Sequence, residues 1–222
     1  GTTALEALRS GSKAWLVEFN PIAVLASYVS GCLILLKSVN DLYPQIVLSL
    51  VRETREAAQS SEPRSRLVHD EAFEQVCDEL LSDLVNPSPS QFINGYIQSL
   101  PNWEMLSIWI ETGTLRDLKK IHETIITSSN SSFIKLVGLT MLSGVLRPLS
   151  SQIKSWGHIA DNVRPKEFNK KLAFTGCSRW ISRTGSIIKK TNIYSIAPNG
   201  TGQCRFWVSQ YNWTDSDIPS VI

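Results

Sequence analysis

The first 36 residues carry the pattern that most restricts the fold, because two helix signals enclose one short apolar run. Residues 4–8 place apolar side chains at helical spacing, and Gly11 predicts the end of that helix. Residues 14–17 are continuously apolar, which is typical of a parallel strand buried on both faces. Asn20 and Pro21 predict the start of a second helix, with proline in its favoured first turn. This order indicates the inside of a doubly wound nucleotide-binding unit whose first strand is missing.

The rest of the chain divides by pattern into two further segments. Residues 1–40 are predicted to form a partial α/β unit, residues 41–163 a largely helical insertion, and residues 164–222 a basic segment with strands. Within the insertion, helices are predicted at residues 46–58, 70–85, 115–126 and 132–146. The predicted fold class is therefore α/β, a partial Rossmann-like fold with an α-helical insertion.

The last segment predicts a β-hairpin. After Pro165 the periodic pattern loosens into a basic stretch. Residues 192–197 alternate like a strand, residues 198–202 form a turn cluster, and residues 205–208 read as another strand. Two short strands around such a turn are typical of a hairpin.

Charge is distributed unevenly, although the formal net charge of +2 by itself indicates no partner. Between Asp70 and Asp83 every charged residue is acidic. Between Arg164 and Lys190 there are eight lysines or arginines against one acid, Glu167. Such a segment either faces a polyanion or is a solvated basic linker, and charge alone does not separate the two.

The four cysteines lie far apart, without a CxxC pair or a zinc spacing, and no secretory signal precedes them. Buried free thiols in a reducing cytoplasm are the expectation. Residues 21–36 are apolar but shorter than the roughly 20 residues that a membrane span needs, and polar residues interrupt them. A buried helix is therefore predicted there, and no membrane partner is expected.

Gly1, Thr2 and Thr3 open the first predicted helix, and Glu18 ends the strand that follows it. Glycine permits close backbone approach to a ligand, and the free amides of a helix start attract polar or anionic groups. An acid at the end of the next strand can accept hydrogen bonds from both ribose hydroxyls. A helix cap and a strand-end glutamate also have ordinary structural explanations, so this pattern alone is weak evidence for a cofactor site.

The longer strings Gly-Thr-Thr-Ala-Leu-Glu-Ala at residues 1–7 and Val-Glu-Phe-Asn-Pro-Ile-Ala at residues 17–23 resemble the S-adenosylmethionine motifs of amino-group DNA methyltransferases, which modify adenine N6 or cytosine N4. The resemblance implies that Gly1 is the last glycine of the cofactor loop. It implies that Thr2 and Thr3 follow that loop, that Glu18 binds the ribose and that Phe19 lies beside adenine. The upstream half of the family's motif is missing, so the chain is expected to be a fragment.

Residues 155–166 resemble a segment that lies between the cofactor and catalytic motifs in one group of these methyltransferases. The cationic side chains in and around this segment suit phosphates, and His158 or Asn162 can reach a base edge. A buried Trp-Gly turn is the alternative explanation for residues 156–162. The predicted contacts to double-stranded DNA are Arg147, His158, Arg164, Lys166, Lys170 and Lys171.

The family's catalytic motif is [Asp/Asn/Ser]-Pro-Pro-[Tyr/Phe/Trp], and no Pro-Pro pair occurs in this chain. No catalytic residue and no metal ligand is therefore predicted. The expected function is part of a DNA methyltransferase, inactive alone, that acts with a missing catalytic half or beside a restriction endonuclease. A non-catalytic DNA-binding subunit is the alternative, and a structural helical protein without any cofactor is a third.

Overall fold

A computed structural model describes residues 2–18, 20–39, 71–96, 101–128, 131–152, 164–191 and 204–210. The described helices are α1 (Thr2–Arg9), α2 (Pro21–Val39), α3 (Glu71–Leu84), α4 (Pro89–Tyr96), α5 (Trp103–Ser107), α6 (Thr112–Ser128), α7 (Ser132–Leu149) and α8 (Ala173–Lys190). The described strands are β1 (Ala14–Glu18), β2 (Val85–Asn86) and β3 (Phe206–Gln210). The protein is thus mixed α/β and mostly helical. The helix predicted at residues 46–58 lies outside the described residues.

The three described strands form a small parallel sheet in the order β1-β3-β2. Ala14 pairs with Phe206 and Glu18 with Gln210, while Val85 pairs with Phe206 on the other side. Because β3 has a parallel neighbour on each side, it is a central strand and not one arm of a hairpin. The hairpin prediction is wrong for residues 206–210, and its other arm, residues 192–197, lies outside the described part. The local sequence pattern identified the strand but carried no information about its distant partners.

The helix–strand–helix order predicted for the first residues is confirmed, and local signals explain its boundaries. Gly11 has a φ of +82°, a left-handed conformation that glycine adopts without a Cβ penalty. The amide of Gly11 donates to the Leu8 carbonyl at 3.0 Å, and that of Ser12 donates to the Ala7 carbonyl at 2.9 Å. This pair of bonds is the Schellman arrangement, which satisfies the last carbonyls of α1 and turns the chain toward β1.

Helix α7 is the central helix of the described fold, because it packs against α2, α3, α4, α6 and α8. It is the one described helix that is long and apolar enough to span a membrane by length and composition alone, and half of it is buried inside the protein. Helix α2, predicted as a buried helix, places Tyr28, Cys32, Leu35 and Leu36 in the core. Its Gly31 lies directly against the Phe206 ring, which brings α2 close to the sheet.

The loose pattern after Pro165 suggested irregular structure, but most of this basic stretch is helical. Helix α8 occupies 18 residues of it and packs on α6 and α7. Ala173, Cys177 and Ile181 are buried at a spacing of four residues, with Gly185 next on the same face. Cations and serines occupy many of the other positions of α8, so this stripe of buried residues is not apparent from the sequence.

The core is one continuous cluster that draws residues from all three predicted segments, from Ala4 in α1 to Val208 in β3. Tyr28 of α2 stacks on Phe92 of α4, with ring centroids 4.0 Å apart, and donates a hydrogen bond to the Pro87 carbonyl at 2.7 Å. The first segment is therefore packed against the second in the described part. The division at residues 40 and 163 stays a prediction about the organisation of the chain.

Candidate functional site

Glu18 lies at the carboxyl end of β1, where the chain turns into α2. Its side chain is half-buried, and its Oε1 accepts a hydrogen bond from the Asn20 amide at 3.3 Å. Asn20 in turn caps α2, because its Oδ1 accepts from the Ile22 amide at 2.9 Å and the Ala23 amide at 3.4 Å. The strand fixes the position of the carboxylate, and the cap fixes the direction in which the chain leaves it.

Thr2 and Thr3 are exposed in the first turn of α1, which packs against both β1 and α2. The start of α1 carries backbone amides without intrahelical partners, and such amides favour polar or anionic ligands. A carboxylate at a strand end can accept hydrogen bonds from a vicinal diol. Gly1 and Phe19, the other two predicted cofactor contacts, lie outside the described residues.

The predicted DNA contacts gather in part at the carboxyl end of α7. Arg147 is exposed in the last turn of that helix, and Arg164, Lys166 and Lys170 are exposed in the segment that leads to α8. The two regions are held together, because the Asn169 amide donates to Ser151 Oγ at 3.2 Å. The structure therefore gives one end of the fold several exposed cations. His158 lies outside the described residues.

Lys171 has a different environment from its neighbours. Its Nζ donates to the Pro148 carbonyl at 2.9 Å and also to the Ser150 carbonyl, so the ammonium satisfies carbonyls at the end of α7. Its backbone amide donates to Thr114 Oγ1 at 2.9 Å. These contacts make Lys171 an anchor between α6, α7 and α8 in this structure. Its predicted contact with DNA phosphate remains a prediction.

Helix α8 carries further exposed cations of the basic segment, beyond the six individually predicted DNA contacts. Arg179 and Arg183 are exposed one turn apart, and Lys189 and Lys190 are exposed in the last turn. No aspartate or glutamate occurs between Asn169 and Thr191, so no acid of this segment offsets them. The four-residue spacing of buried positions in α8 is the signal that would have placed these arginines on one exposed face.

Among the described residues, several groups with displaced pKa values lie in the core and not beside Glu18. Burial raises the pKa of the Tyr28 hydroxyl, and burial raises the pKa of the Cys177 thiol to about 12. Burial also lowers the pKa of His122, which stands edge-on to Trp103 with ring centroids 5.5 Å apart. Displaced pKa values often mark active sites, but here desolvation is the largest cause each time. These groups are therefore structural, with their ionised forms disfavoured.

No family model, curated protein or solved structure matches the chain. The fold and the placement of Glu18 are thus the structural basis for any functional proposal.

Proposed function

We propose that this chain forms the cofactor- and DNA-contacting part of an S-adenosylmethionine-dependent methyltransferase that modifies an exocyclic amine of adenine or cytosine in DNA. The observation that carries the proposal is Glu18 at the carboxyl end of a parallel strand that lies between α1 and α2 in sequence. Ligands of open parallel α/β sheets bind outside the carboxyl ends of the strands. The sequence resemblance and the position of Glu18 therefore both indicate a ligand site at the carboxyl end of β1.

The residues at this place fit the ribose end of S-adenosylmethionine. Glu18 is half-buried but accessible, and a carboxylate there accepts hydrogen bonds from the two ribose hydroxyls. The first turn of α1, with Thr2 and Thr3, supplies backbone amides that favour polar or anionic groups. When bound, S-adenosylmethionine supplies an electrophilic methyl group. The role of the chain is to position that group, since it has no Pro-Pro motif to hold a target base.

The exposed cations support contact with the DNA backbone. Arg164, Lys166, Lys170 and Arg147 are accessible near the end of α7, and the exposed arginines of α8 continue the same segment. Cations in this arrangement bind phosphates without selecting a sequence, and they position a duplex for contacts made elsewhere. We expect the complete enzyme to act in the cytoplasm, together with a catalytic half and, in a restriction-modification system, beside an endonuclease.

Cofactor binding is tested by saturation-transfer NMR on the methyl signal of S-adenosylmethionine mixed with the 222-residue chain. We expect binding that Glu18→Gln weakens by about tenfold or more, because hydrogen bonds to a charged acceptor contribute about 1.5–3 kcal/mol. Glu79→Gln, on the exposed part of α3, is the matched control and leaves binding unchanged. No saturation transfer from the wild-type chain to the cofactor, or equal binding by Glu18→Gln, would overturn the proposed cofactor site.

DNA binding is tested by fluorescence anisotropy with a short duplex at several salt concentrations. The double variant Arg164→Gln/Lys166→Gln should bind more weakly and reduce the slope of log affinity against log salt by about 1.8, at roughly 0.9 per phosphate contact. Arg116→Gln/Lys120→Gln removes the same two residue types from the exposed surface of α6 and leaves the slope unchanged. An equal slope in both double variants would contradict contact by the segment before α8.

A non-catalytic DNA-binding subunit is the second candidate, and the acid-free basic segment at α8 favours it. The two experiments together separate the candidates. Salt-dependent DNA binding with S-adenosylmethionine binding at Glu18 supports the methyltransferase part. DNA binding without any cofactor binding supports the subunit, and loss of both leaves the structural helical protein.

A further inference from the structure

A groove of about 580 Å³ lies between α1, α2, α7 and α8, and its lining includes Thr2 but neither Thr3 nor Glu18. Each of the four helices contributes one face to it, and the wall from α2 extends from Ile22 to Ile34. At 1.5 Å per residue, that wall is about 18 Å long. The volume falls in the range of small-molecule sites, which is about 300–1,000 Å³. The groove is thus long enough and large enough for an extended small molecule.

Apolar side chains make up most of the groove wall. Leu5 of α1 and Leu25 and Leu33 of α2 line one side, and Ile188 of α8 lines another. Ile187, also in the lining, is 56% exposed, so the rim of the groove presents apolar surface to solvent. An apolar ligand that covers these side chains gains about 25 cal/mol per Å² of surface removed from water. The walls therefore favour an aliphatic ligand.

The groove offers little net charge to a ligand. Its charged residues, Glu6 and Arg9, lie in successive turns of α1 and bind each other, with Arg9 donating to both Glu6 oxygens at 2.7 and 2.9 Å. The arginine charge is thereby offset by the carboxylate. A ligand carboxylate would lose its hydration without gaining an uncompensated cation, which is unfavourable. An uncharged ligand is consequently favoured over an anionic one.

Trp180 supplies a polar contact within this apolar wall. Its indole lies against Gly144, where an added Cβ would meet Nε1 at 2.5 Å, so the glycine makes room for the ring. The hydroxyls of Ser30 and Thr140, also in the lining, donate to the Ala26 and Leu136 carbonyls at 2.7 and 2.9 Å. Their lone pairs are left as acceptors, while the indole N–H is a donor. A ligand hydroxyl group matches both kinds of contact.

We propose that this groove binds a neutral, extended aliphatic molecule that bears a hydroxyl group. The hydrocarbon chain of this ligand lies along α2, and its hydroxyl lies near Trp180. The groove shares Thr2 with the proposed cofactor position but does not include Glu18, and the proposal does not depend on methyl transfer. Apolar burial provides the affinity, and the polar contacts select an alcohol over an acid of equal length.

The probes for the test are n-octanol and octanoate, which share chain length and differ in charge. Titration is followed on the indole ¹H–¹⁵N signal of Trp180, assigned by its loss in Trp180→Phe. We expect n-octanol to shift this signal saturably, while the signal of Trp15, whose side chain is exposed on β1 outside the groove, stays fixed. Octanoate should bind at least about tenfold more weakly, since a difference of 1.4 kcal/mol corresponds to tenfold. An unshifted Trp180 signal, or equal binding of the two probes, would overturn the proposal.

Two phenylalanine variants on α8 locate the site. Thr184 lines the groove, and Thr175 is exposed on the same helix outside it. Thr184→Phe fills the groove and should weaken n-octanol binding by about tenfold or more, whereas Thr175→Phe should leave it unchanged. Equal binding by both variants would place the alcohol elsewhere and refute the assignment. If Thr184→Phe does not fold, the comparison of n-octanol with octanoate on the wild-type chain decides by itself.

Discussion

The ammonium of Lys37 lies 2.6 Å from the carbonyl oxygen of Ile188 and joins the end of α2 to the end of α8. The same nitrogen donates to the carbonyls of Lys189 and Thr191 at 3.2 and 2.7 Å. The last carbonyls of a helix have no intrahelical partners, and here a lysine from another helix satisfies them. Lys37 and Lys171 therefore attach α8 to the rest of the fold near both of its ends.

Lys37→Met should lower the free energy of unfolding by about 1.5–3 kcal/mol, because a charged donor is lost from three carbonyls while most of the side-chain volume remains. The measurement is urea denaturation followed by circular dichroism. Lys120→Met is the matched control, since Lys120 is exposed on α6, and its midpoint should stay near that of the wild type. Equal midpoints for the two variants would show that the hydrogen bonds of Lys37 contribute nothing to the free energy of unfolding.

Asp78→Asn should destabilise the start of α7. Asp78 accepts hydrogen bonds from Ser131 Oγ at 2.8 Å, from the Ser132 amide at 2.7 Å and from the Phe133 amide at 3.0 Å. Loss of a helix cap typically costs about 0.5–2 kcal/mol, and we expect the upper half of that range for a carboxylate shared with three donors. Asp83→Asn, exposed on the same helix, is the control for urea denaturation. A larger loss in the control would contradict the cap.

Gly31→Ala should destabilise the contact between α2 and β3. A Cβ at Gly31 would collide with the Phe206 ring, which is fully buried and has no room to move. Overpacking of this kind costs about 1–3 kcal/mol, which calorimetry detects as a lower Tm. Gly95→Ala serves as the control, because nothing lies within 4 Å of its added Cβ. In helix α4 that change should be neutral or raise Tm.

The stability of the protein should fall between pH 7.5 and 5.5 through His122. Burial holds the pKa of this imidazole below its ordinary value of 6.5, so the folded state binds its proton less readily than the unfolded state. The contribution is complete above the unfolded pKa and is lost as the pH falls toward the folded pKa. Urea denaturation at both pH values measures the difference. His122→Gln should reduce the pH dependence, and an unchanged dependence would assign it to other groups.

Local signals predicted several elements because their causes lie within a few residues. The left-handed glycine at Gly11, the cap at Asn20 and the proline at the start of α2 act within one turn of chain. The placement of Glu18 at the end of a strand followed from the same signals. The buried stripe of α8 is equally local, but serines and cations interrupt it in the sequence, so the pattern did not predict this helix.

By itself, the sequence of this protein determined the helix–strand–helix start, the end of α1, the start of α2, and the residue that ends β1. Only the tertiary structure decided that β3 lies between β1 and β2 and that Lys171 binds the end of α7. It alone decided that α1, α2, α7 and α8 enclose a groove. The physical reason is the sequence separation between the groups that interact. Helix ends depend on backbone groups a few residues apart, whereas strand order and side-chain partners depend on burying apolar surface between segments far apart in sequence.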